Sequence, residues 1–86
     1  MFKVEVGKSY LFFGVLTSYI GRVKETWMGG CLLEKDCSWI KSLGDSFTEA
    51  FRSGKLQETQ LLGVEWQVMA SALSGLCEWK HKLPTT

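Results

Sequence analysis

The segment YLFFGVLTSYIGRVKETW, residues 10–27, constrains this chain more than any other stretch. Aromatic and β-branched residues crowd a run that favours extended backbone from Ser9 to Phe13 and again from Val15 to Ile20, with Gly14 alone between them. A glycine inside a strand costs about 0.5–1 kcal/mol relative to alanine and marks a bulge, a sharp bend or the close approach of another backbone. The expectation is that Gly14 bends one long strand so that it curls and serves two sheets of a small barrel. Beyond Gly21, Val23, Glu25 and Trp27 alternate with Arg22, Lys24 and Thr26, the pattern of a strand returning antiparallel, and Gly29 and Gly30 supply the next turn.

Further period-2 runs bracket this segment. FKVEV puts Phe2, Val4 and Val6 on one face and predicts a strand before a turn at Gly7. GCLLEKDCSWI reads as one half-exposed strand over 30–40 with Cys31, Leu33 and Cys37 facing in. LLGVEWQVM reads as another, with Leu62, Val64, Trp66 and Val68 inward. Between them the period changes. Ser46 and Glu49 form a capping-box pattern, Phe47, Ala50 and Phe51 recur at helical spacing, and Gly54 is a natural stop, so a helix is expected over 46–53 with Phe47 and Phe51 on the sheet. Met69, Leu73, Leu76 and Lys80 repeat at helical intervals and predict a C-terminal helical turn, followed by a frayed end. At 86 residues this is one domain. The fold class expected is mainly β: a small, strongly bent antiparallel SH3-like or Sm-like barrel with one short inserted helix and a C-terminal helical turn.

Charge and cysteine usage narrow the function classes. A net charge of +1 lacks the broad positive footprint that duplex DNA requires, but allows a compact anion met by a few placed cations. Cys31, Cys37 and Cys77 are odd in number and accompany no histidine cluster, so neither a disulfide framework nor a metal site is indicated. They read as reduced thiols acting as small core hydrophobes in a soluble, cytoplasmic protein, in a host cell's cytoplasm if phage-encoded. No signal peptide or membrane span is evident.

His81, the one histidine, lies in the basic tail WKHKLP and reads as a solvated side chain. Glu34 and Asp36 share a strand face, but an exposed strand face commonly carries such a pair. With no phosphate-binding loop, nucleophile elbow or cofactor motif, the chain is expected to be no enzyme, with no catalytic residue and no cofactor.

Binding has better candidates. Trp39 ends a strand beside Lys41, and the following helix carries Arg52 and Lys55. An aromatic plane with cations nearby is what a nucleobase with its phosphate needs. Tyr19 and Arg22, with Lys24, form a second such group. Four Trp, five Phe and two Tyr are also more than a small core readily hides, so some aromatic surface is expected to face a partner subunit or a ligand.

FFGVLTSYIGRV followed by GCLLEKDCSWI resembles the first half of the Sm and Lsm family. Gly14, Val15 and Leu16 match its first strand, and Leu32, Leu33, Glu34, Asp36 and Cys37 approximate the second. The family's Asp-x-x-x-Asn signature and its Arg-Gly pair have no counterpart. The resemblance implies a barrel and a homo-oligomeric ring joined through strand edges.

The second half, with AFRSGK and CEWKHKLP, is similar to small phage and prophage proteins of this barrel type, some of which sequester the cyclic nucleotide signals of CBASS-type antiphage immunity. That implies a non-enzymatic sponge for a small anionic nucleotide held by Trp39, Lys41, Arg52, Tyr19 and Arg22. The alternatives are a protein-interaction inhibitor of anti-CRISPR type or virion adaptor, and a divergent Sm-like RNA-binding protein.

Overall fold

The structure, a computed structural model, describes residues 3–42 and 47–85. It contains strands β1 (Ser9–Gly14), β2 (Ser18–Trp27), β3 (Gly30–Leu33), β4 (Ser38–Ser42), β5 (Glu58–Leu61), β6 (Trp66–Met69) and β7 (Leu73–Glu78). One short helix, α1 (Phe47–Ser53), precedes β5, and a 3-10 turn (Ala70–Ala72) precedes β7. Every pairing is antiparallel, in the order β5-β4-β2-β1-β7, while β3 bridges β2 and β6. β3 with β4, and β5 with β6, are each one leg of the chain interrupted midway, so the path is a five-legged meander whose last leg returns beside its first. The sheet is strongly bent but not closed, since β5 and β7 stand at its two ends. The mainly β architecture expected from the sequence is the one found.

The bend has a structural cause in three neighbouring legs. β2 pairs with β1 and β4 through its first half and with β3 through its second, and its register shifts between Val23 and Glu25. Opposite that shift, residues 34–37 leave the third leg as a turn in which the Cys37 amide donates to the Glu34 carbonyl at 3.1 Å. Residues 62–65 leave the fourth leg beside it, with Gly63 at φ 74° and the Leu62 amide donating to the Cys37 carbonyl at 3.1 Å. The single strands expected over 30–40 and 61–69 are thus each broken by a corner, which divides β3 from β4 and β5 from β6. Val64, expected inside, is 52% exposed on that corner.

Two glycines exchange the roles expected of them. Gly14 lies at the end of β1 and opens a hairpin loop, its amide donating to the Thr17 carbonyl at 2.9 Å, and a Cβ there would collide with that carbonyl. The strand therefore breaks at Gly14 instead of curling through it. The glycine inside the strand that serves both halves is Gly21, expected to make a turn. A Cβ at Gly21 would sit 2.6 Å from the Cys37 Cβ and 3.1 Å from Leu33 Cδ1, so its bare backbone is what lets the third leg fold inward over β2.

β1 is buried on both faces, which explains its unbroken apolar run. Tyr10 and Phe12 join Val4, Val23, Cys31, Leu33, Cys37 and Val68 in the concave core. Leu11 points the other way, to Ile20, Ile40 and Trp79, with Phe13, Leu56, Cys77 and Leu83 packed around them. This second cluster is roofed by the chain's end. Trp79 is 3% exposed, its amide donates to the Ser9 carbonyl at 2.8 Å and its Nε1 to the Lys82 carbonyl at 3.0 Å.

The helix lies on the same side: Ala50 is buried, and the Phe51 ring tilts against Trp79 at 6.1 Å. Gly54 caps α1 at φ 77°, its amide donating to the Ala50 carbonyl at 2.9 Å. The Ser46 cap and the packing of Phe47 lie outside the described residues.

Three further expectations change. FKVEV forms no strand over residues 3–6; Val4 plugs the core while Val6 is exposed, and Phe2 lies outside the described residues. The C-terminal helical turn is a single 3-10 turn, and Leu73 to Glu78 is a strand. Its register against β1 shifts, Phe13 facing Gly75 and Gly14 facing Leu73. That bulge brings Leu73 and Leu76, three residues apart, onto one core, which mimics helical spacing. Finally, His81, expected only to be solvated, is exposed but tied down. His81 Nε2 lies 2.8 Å from the Phe51 carbonyl, and its ring meets Trp79 edge-on at 5.1 Å, so His81 is a clamp between tail and helix.

Candidate functional site

Strand register assembles the expected aromatic pair. Tyr19 of β2 stands directly opposite Trp39 of β4, with Phe12 of β1 beyond Tyr19 and Gln60 of β5 beyond Trp39. The row runs from the buried core to the exposed edge: Phe12 is fully buried, Tyr19 and Trp39 half-buried, Gln60 exposed. Lys41, two residues along β4 where the register against β5 shifts, holds its Nζ 5.4 Å from the centre of the Trp39 ring. At an exposed site such a cation–π contact contributes about 0.5–1 kcal/mol.

Tyr19 is fixed from two sides. Its ring lies 5.5 Å from that of Trp66 at 36°, and the Thr17 hydroxyl donates to its Oη at 3.1 Å. The loop of residues 14–17 has a depression on each side. A mostly polar one of about 300 Å³ runs from this loop to Ile40, Lys41 and Ser42. A mostly apolar one of about 420 Å³ lies between Val15 and Leu16 on one wall and Tyr19, Trp66, Met69 and Leu73 on the other.

Arg22 and Arg52 are not brought to this array within one protomer. Arg22 alternates with Tyr19 along β2 and pairs with Asp36 at 3.1 Å. It lines a cleft of about 490 Å³ with Lys24, Glu34, Lys35, Asp36 and Glu65, three cations against three carboxylates, and Lys24 is itself paired with Glu65. Arg52 is on α1, which packs on the face of Leu11 and Ile40, and pairs with Glu49. Near it Lys55 and Lys82 border a cleft of about 560 Å³ with Thr59 and Leu83.

Tyr19, Trp39 and Lys41 are therefore the sequence-derived residues that the structure unites. Trp66, which its inward parity assigns to the core, is the further residue of this site, since its ring meets that of Tyr19.

Burial pushes the thiols up, Cys31 from 9.0 to about 11, and Cys37 and Cys77 in the same direction. Protonated thiols are poor nucleophiles, and these three act as packing groups. Among the described residues no three histidine, cysteine or acidic side chains gather as metal ligands. No helix among them is long and apolar enough to cross a membrane. What the array offers chemically is a flat ring with a movable cation over it. In comparisons with known proteins, the chain matches no family model, no curated protein and no solved structure.

Proposed function

We propose that this chain is a non-enzymatic binding protein of Sm-like barrel type that captures a small anionic nucleotide. The class we assign is a cyclic oligonucleotide signal of bacterial antiphage defence, the chain being phage-encoded and acting in the host cytoplasm. The observation that carries the reading is Lys41 poised over the Trp39 ring, with Tyr19 in register beside it. A nucleobase stacks on Trp39 in place of the Lys41 ammonium, and the displaced cation turns to the phosphate. The exchange keeps both charges compensated, and stacking supplies about 1–3 kcal/mol.

The polar depression beside Lys41 receives the sugar and phosphate groups. Arg22 and Arg52 enter the site only from a neighbouring subunit. The meander, with β5 and β7 at open edges, supports an Sm-like barrel that assembles as a homo-oligomer.

Calorimetry with cyclic di- and trinucleotides at tens of micromolar protein tests the reading. One member of the panel should bind saturably, and Trp39→Leu should weaken it roughly 5- to 150-fold, the equivalent of one stacking contact. Silence from the whole panel would overturn it. A protein-interaction inhibitor or virion adaptor is the second reading, favoured by the exposure of Val15, Leu16 and Met28. Capture of one stoichiometric host protein, with no nucleotide released on heating, would select it. Salt-sensitive binding of single-stranded RNA would select a divergent Sm-like RNA-binding protein instead.

A further inference from the structure

One end of the molecule is apolar well beyond what its core needs. Leu16 is 94% exposed, Met28 88%, Val15 83%, Met69 43% and Trp27 40%. These residues are contiguous around the rim. Gly14 pairs with Leu73 and Gly30 with Met69; the 3-10 turn joins those two partners, and the Ala70 amide donates to the Gly29 carbonyl at 2.9 Å. The hairpin loop of residues 14–17, the 3-10 turn and the β2–β3 hairpin tip thus follow one another along a single edge.

At roughly 120 Å² per fully exposed large apolar side chain, the five present on the order of 400 Å². That matches the largest apolar patch of an ordinary monomer, about 300–600 Å², which is often a functional surface, and supplies about half of the roughly 800 Å² per partner of a standard interface.

We propose that this rim is where a second copy of the chain docks about a two-fold axis, Leu16 of each copy entering the other's groove. The shape is self-complementary: Val15 and Leu16 project from the wall of a groove of about 420 Å³ floored by Tyr19, Trp66 and Leu73. A two-fold interface needs such a patch, carrying knob and hole together. The charge pattern agrees. Among the described residues no Lys, Arg, Asp or Glu lines the groove, so two copies meet there without like-charge repulsion. An anionic lipid surface, by contrast, calls for basic residues around the apolar face. The docking goes beyond the edge-to-edge assembly described above and does not depend on a nucleotide. It leaves Trp39 and Lys41, which are absent from the groove lining, uncovered, while Tyr19 borders both the groove and that pair.

Sedimentation equilibrium of the full chain, from micromolar to hundreds of micromolar, tests this. The wild type should show a mass of at least twice 9.7 kDa. Leu16→Asp should raise the dissociation constant at least 100-fold with an unchanged melting curve at low concentration, while Val6→Asp, at the turn near Gly7, should leave the mass as it was. A wild type that stays at 9.7 kDa throughout, or an oligomer whose mass survives Leu16→Asp, overturns the proposal. Flotation of the wild type with phosphatidylglycerol vesicles, abolished by Leu16→Asp, would also overturn it, in favour of a membrane. Nucleotide calorimetry on Met28→Asp, a rim residue that lines neither depression, separates the two readings, because that variant should lose the docking and still bind ligand.

Discussion

Replacing Gly21 with alanine inserts one methyl group at the place where the third leg crosses β2. That methyl would stand 2.6 Å from the Cys37 Cβ and 3.3 Å from its Cα, with Leu33 Cδ1 at 3.1 Å. Leu33 can rotate, but Cys37 is held by its backbone. Its amide is tied to Glu34 and its carbonyl to Leu62, so relief requires the 34–37 turn to move off the sheet. Overpacking of this kind costs about 1–3 kcal/mol.

In a domain of this size each kcal/mol lowers Tm by about 4–8 °C, so a cost near 2 kcal/mol should lower Tm by roughly 8–16 °C. Gly75→Ala is the matched control. Gly75 lies in β7 without positive φ, a Cβ there meets nothing within 4 Å, and the substitution should be neutral or stabilising by about 0.5–1 kcal/mol. Calorimetric or circular-dichroism melts of both variants read the difference. A Gly21→Ala protein melting within 2 °C or so of the wild type would refute the argument that this glycine creates the bend.

Other expectations follow from single contacts. Because burial lifts Cys31 to about 11, and raises Cys37 and Cys77, the folded chain holds protons that the unfolded chain releases near 9. Stability is therefore complete below about pH 9 and falls as pH rises toward 11; Tm measured from pH 7 to 11 should be lower at the alkaline end, by less in Cys31→Ala. Trp79→Ala removes the anchor of the second core and should cost about 3–5 kcal/mol in chemical denaturation, whereas Trp79→Phe should lose mainly the bond to the Lys82 carbonyl, about 1 kcal/mol. Lys41→Gln should lower stability by less than about 1 kcal/mol in the same assay while abolishing ligand binding, since its contact with Trp39 is an exposed one. Glu49→Ala, which breaks a solvent-exposed pair with Arg52, should change stability by no more than about 1 kcal/mol.

The β character, the short helix and the inward parity of Cys31, Leu33 and Cys37 are legible in the sequence because side-chain alternation follows directly from extended backbone. The corners are not. Residues 34–37 and 62–65 turn because they face each other across the sheet, and no local signal in LLEKDCS announces that partner. Gly14 and Gly21 look alike in one dimension; only the third leg, packed on Gly21, tells them apart. The bulge at Ser74 converts strand spacing into apparent helical spacing, and WKHKLP hides a buried tryptophan among solvated charges. Of the site, the pairing of Trp39 with Lys41 follows from their spacing on one strand. The opposition of Tyr19 and Trp39 depends on a register that the sequence does not encode locally.

Native mass spectrometry of the protein purified from cells that make cyclic oligonucleotide signals tests the central claim most directly. The account predicts a homo-oligomer carrying a stoichiometric nucleotide that is released intact, and the loss of that adduct in Trp39→Leu. An oligomer of bare chains from cells rich in the signals, or an adduct retained by Trp39→Leu, would contradict it.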